Sequence, residues 1–90
     1  MIRMTEIKRN FGVRLKISCN EDEFGELYNI MRKIQKSGFA IDPSRDFEHI
    51  GEKIVYRYES VYMNDIYEFK QCYRKCKEQV RKNNKGEKQW

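Results

Sequence analysis

Between Phe11 and Cys19 the chain alternates. Phe11, Val13, Leu15, Ile17 and Cys19 are separated by Gly12, Arg14, Lys16 and Ser18, a period of two that predicts a strand with one buried and one solvated face. Asn20 follows, three residues before Glu23. This is the spacing of a capping box, in which each side chain satisfies a free backbone N–H of the other. Phe24, Leu27, Tyr28, Met31 and Ile34 then recur every three or four residues, and Ser37-Gly38 supplies a left-handed stop, so a helix is expected over roughly residues 21 to 37.

From Phe39 to Tyr62 the period returns to two. Phe39 and Ile41 come first; later Ile54, Tyr56, Tyr58 and Tyr62 oppose Val55, Arg57, Glu59 and Val61. Two strands are expected here, joined at Gly51-Glu52. Asp42-Pro43-Ser44-Arg45-Asp46 interrupts the first of them, which marks it as an edge strand because proline gives the ladder no N–H. Asn64-Asp65 opens a second helix, whose stripe is Ile66, Phe69, Tyr73, Cys76 and Val80; that stripe is expected to lie on the sheet.

The expected fold is a single-domain α+β sandwich of order β-α-β-β-α, a ferredoxin-like split fold lacking its last strand. Its antiparallel sheet carries both helices on one face. Residues 2 to 8 offer an additional N-terminal strand, antiparallel to 11–19, at the edge that the absent strand would occupy. No linker divides the chain, so residues 1–82 are assigned to the domain and 83–90 to a basic tail.

Composition narrows the function classes. Ninety residues of 11.0 kDa allow one small core rather than a multidomain enzyme. Three cysteines cannot close into a disulfide framework by themselves, which favours a reducing compartment, the cytosol. The N-terminus has no apolar block and no apolar run exceeds three residues, so neither a leader nor a membrane span is expected.

The net charge of +5 is placed unevenly. Residues 1–20 and 64–90 each carry +4, while 21–37 carry −1 and 38–63 carry −2. On the second helix Lys70, Arg74, Lys77 and Arg81 fall within about 60° of one another and make a basic ridge. Arg14, Lys16 and Arg57 share the solvated face of the sheet if the alternation holds. Either surface suits a polyanion, although basic residues on an exposed helix are also simply good helix formers.

Other chemistry is poorly supplied. Tyr56-Arg57-Tyr58 resembles the alternating aromatics on which RNA-binding sheets stack bases, but the tyrosines share the face of Ile54, which makes them core. Cys72 and Cys76 lie inside a helix rather than in a zinc-binding turn. Asp42, Asp46, Glu48, His49 and Glu52 crowd one segment without a recognised ligand spacing, and a proline turn uses such acids on its own backbone. With one histidine and neither a Gly-rich phosphate loop nor a nucleophile signature, no catalytic residue, metal or cofactor is assigned.

The expectation is a non-catalytic binding protein, monomeric or paired edge to edge, whose Arg14, Lys16, Arg57, Lys70, Arg74, Lys77 and Arg81 engage nucleic acid. The alternative is an inhibitor or regulator that docks on an acidic protein surface, with Trp90 and the 42–52 segment at its interface. Small proteins of phages and mobile elements that block host or defence proteins work in this style.

Overall fold

A computed structural model of the chain describes residues 1–87. The alternating segment becomes β2 (Gly12–Asn20), with Val13, Leu15, Ile17 and Cys19 buried and Arg14, Lys16 and Ser18 on the other side. It pairs antiparallel with β1 (Arg3–Arg9) on one flank and with β4 (Lys53–Ser60) on the other, while β3 (Glu48–Ile50) pairs with β4. The sheet order is β1-β2-β4-β3. The strand after the first helix therefore lies at one edge with a later strand inserted between it and β2, as in the split fold. The N-terminal hairpin supplies the opposite edge, so agreement with the ferredoxin-like pattern is partial.

Both helices lie on the face of Leu15 and Ile17. A 3-10 turn (Glu21–Glu23) precedes α1 (Phe24–Lys36), and the Asn20 N–H donates to Glu23 Oε1 at 3.2 Å. Gly38, at φ +112°, ends α1, and the Ser37 N–H donates to the Lys33 carbonyl at 3.1 Å. The buried stripe of α1 is Leu27, Ile30, Met31 and Ile34, with Phe24 and Tyr28 at its rim. The second helix, α2 (Met63–Glu87), buries Ile66, Phe69, Tyr73, Cys76 and Val80. These side chains join Ile17, Ile54 and Tyr56 in one core cluster, where each fully buried large apolar side chain contributes about 1.5–3 kcal/mol.

Four sequence expectations need correction. Phe11 is not a core residue. It sits in the two-residue turn between β1 and β2 and is 87% exposed, because Gly12 takes φ +106° and the alternation begins only after it. Tyr62 also leaves the buried row, since β4 stops at Ser60. The strand expected from Phe39 shrinks to Glu48–Ile50. Its apolar residues nonetheless pack as a loop, with Phe39 edge-on to Phe69 at 5.5 Å and Phe47 edge-on to Tyr56 at 5.0 Å. Finally, α2 continues to Glu87, through residues read as tail.

Candidate functional site

The two helices cover one side of the sheet and leave the other side bare. Strand register places Arg3 and Arg9 of β1, Arg14 and Lys16 of β2, and Lys53 and Arg57 of β4 on that bare side, against Glu48 and Glu59. Period two fixes this, since residues flanking a buried one point away from it. Arg14, Lys16 and Arg57 are thus brought to one face, as the sequence predicted.

Their partners differ. Arg57 Nη1 donates to Glu48 Oε2 at 2.9 Å. Arg9 Nη1 reaches Glu59 Oε1 at 3.2 Å, and Arg14 Nε donates to the same oxygen. Two guanidinium groups therefore share one carboxylate, and most of their donors remain free. Lys16 stands directly across from Arg57, a like-charge cross-strand pair that works against the sheet. Among the described residues, Lys16, Arg3 and Lys53 make no ion pair. Val55 lies buried in the middle of this face, between Ser18 and Glu48.

The helical ridge is on the opposite layer. Lys70 Nζ is bound to Glu6 Oε1 of β1 at 2.7 Å, and Arg81 Nε lies 3.5 Å from Glu26 Oε1 of α1. Lys77 lies 5.9 Å from the centre of the Tyr73 ring. Arg74 is exposed and makes no ion pair among the described residues. One flat ligand therefore meets either Arg14, Lys16 and Arg57 or Arg74 and Lys77, but not both groups. Trp90 lies outside the described residues.

The acidic segment serves its own loop. The Ser44 N–H donates to Asp42 Oδ1 at 3.2 Å, the Asp42 N–H to Asp46 Oδ2 at 3.2 Å, and the Tyr56 hydroxyl to Asp46 Oδ2 at 3.3 Å. Burial and the facing Asp46 carboxylate push the Tyr56 phenol well above its ordinary range. His49 packs near the Phe24 ring, 6.5 Å between centres. Among the described residues no three His, Cys, Asp or Glu side chains are arranged to hold a metal ion.

Cys72 and Cys76 approach to 3.8 Å between sulfurs. Burial, followed by the hydrogen bond with Cys72, raises the Cys76 thiol above its ordinary range, which disfavours the nucleophilic thiolate. Cys19 is buried and its thiol is likewise raised, chiefly by desolvation. No described helix is long and apolar enough to cross a membrane.

Sequence reasoning missed an apolar group at one end of the sheet. Phe11, Val61, Tyr62, Met63 and Tyr67 are all more than half exposed. Phe11 and Val61 line one cleft of about 550 Å³ together with Arg9, Asn10, Val13, Glu59 and Ser60. Hydrophobicity alone assigned Phe11 and Tyr62 to the core; the glycine after Phe11 was the available signal that the phase breaks there. No protein-family model matches this chain, and neither a curated protein nor a solved structure does.

Proposed function

We propose that the uncovered sheet face binds nucleic acid through its phosphates, without catalysis. The observation that carries this reading is the Lys16–Arg57 pair at the centre of a mostly basic, helix-free surface. A phosphate chain laid across the strands relieves that like-charge contact and releases counterions. The helical ridge is the weaker surface, because Lys70 and Arg81 already hold carboxylates.

Anisotropy titrations with labelled DNA and RNA across salt test the assignment. The double variant Arg3→Glu, Lys16→Glu should weaken binding about tenfold or more and flatten the logarithmic salt slope by about two, one for each phosphate contact. Arg74→Glu with Lys77→Glu should leave both unchanged. The reverse pattern would move the site to α2. Absence of binding at low salt would remove the nucleic-acid reading.

The second reading, docking on an acidic protein, is favoured by one observation: β1 occupies an edge of the sheet. An extended segment of such a partner can add there as a further strand.

A further inference from the structure

Resting on the reading of the sheet face as a phosphate surface, we propose that its hairpin end stacks unpaired bases on Phe11 and Tyr62, which makes the ligand single-stranded nucleic acid. Phe11 is 87% and Tyr62 68% exposed. Phe11 lies in the β1–β2 turn and Tyr62 immediately before α2, and these two segments are in contact at Gly12 and Ser60–Val61.

The backbone under Tyr62 is held firmly. Ser60 Oγ donates to Asp65 Oδ2 at 2.8 Å and accepts the Tyr62 N–H at 3.1 Å, while the Tyr62 carbonyl accepts the Asp65 N–H at 3.1 Å. Such platforms lose little conformational freedom on binding.

Charge complementarity identifies the occupant. Arg9 lines the cleft with Phe11 and Val61 and shares Glu59 with Arg14, so the local balance is positive with guanidinium donors to spare. A row of cations ending in exposed aromatic rings is the combination that binds single strands, with phosphates tracked by charge and bases stacked on rings. The cleft between Phe11 and Val61, about 550 Å³, falls within the range of about 300–1,000 Å³ usual for ligand sites. In a duplex the base faces are already stacked on one another and are not available to a protein ring.

The test separates bases from phosphates. Anisotropy is measured with a deoxythymidine oligonucleotide of about 12 nucleotides, the same backbone carrying abasic sites, and a duplex of equal length. The full chain is compared with Phe11→Ala, Tyr62→Ala, the double variant and Phe11→Tyr. Tighter binding of the base-bearing strand than of the abasic one is expected. Each alanine should cost about fivefold or more in affinity for the base-bearing strand alone, and Phe11→Tyr should retain the affinity. Circular dichroism checks folding, which these exposed positions should not disturb.

Equal affinity for abasic and base-bearing strands, or alanine variants that bind as the wild type does, would overturn the stacking site while leaving the phosphate surface standing. Failure of all three ligands to bind at low salt would overturn both, and the exposed apolar end would then belong to a protein contact.

Discussion

Gly12 is required for two separate reasons. Its φ of +106° lies where an L side chain is strained, and a Cβ built there would overlap the Ser60 carbonyl oxygen. Gly38 shares only the first reason, for its φ is +112° but nothing stands within 4 Å of the added carbon. Gly38→Ala should therefore cost about 1–2 kcal/mol, and Gly12→Ala about 1–3 kcal/mol more, because the Ser60 backbone has to move. Urea midpoints measure both, and equal midpoints would show that the Ser60 contact yields without cost. The same residue explains a limit of sequence reading. Apolar alternation from Phe11 onward was legible, but the phase slip at Gly12 depends on a backbone angle that hydrophobicity does not encode, so a ring that is 87% exposed was assigned to the interior.

At the scale of elements, the helices and β2 were legible because their signals are local and repeat several times within one segment. β1 carried a weaker signal. On its core side Ile2 and Met4 are followed by Glu6 and Lys8, so the apolar row ends halfway along the strand. The edge is tied down by charge instead. Glu6 of β1 accepts Lys70 Nζ of α2 at 2.7 Å, and that hydrogen bond holds the Glu6 carboxyl below its ordinary 4.5. A carboxyl that is more acidic in the folded chain stabilises the fold above its unfolded pKa, and the contribution disappears as pH falls through the folded value. Glu6→Gln should accordingly lower Tm slightly at pH 7, and the gap from wild type should close well below pH 4.5. A gap that persisted at low pH would mean that Glu6 acts through packing rather than charge. The segment from Phe39 to Phe47 was misread as a strand because apolar residues spaced for alternation also serve a loop that drops its side chains one by one onto a core.

At the scale of the molecule, one continuous cluster joins sheet, α1 and α2, and among the described residues no second core stands beside it. Far-ultraviolet dichroism and the near-ultraviolet tyrosine signal should therefore trace a single coincident transition in denaturant; separated midpoints would break the cluster into independent units. The basic residues of the site were legible in type and in strand phase. That Arg14, Lys16 and Arg57 lie on a surface separate from Lys70, Arg74, Lys77 and Arg81 also followed from placing both helices on the apolar face, although both groups were then assigned to one partner. Which cations are already held by carboxylates was not legible, because it depends on contacts between distant segments. The sheet order has a kinetic consequence as well. β1–β2 and β3–β4 are hairpins that close locally, and the two are joined by the β2–β4 pairing, in which Ile17 meets Tyr56 about 40 residues further along the chain. Closing that loop costs entropy before any of its contacts form. The rate of folding should thus be governed by how quickly the two ready-made hairpins find the β2–β4 register, with α1 as the tether that shortens the search.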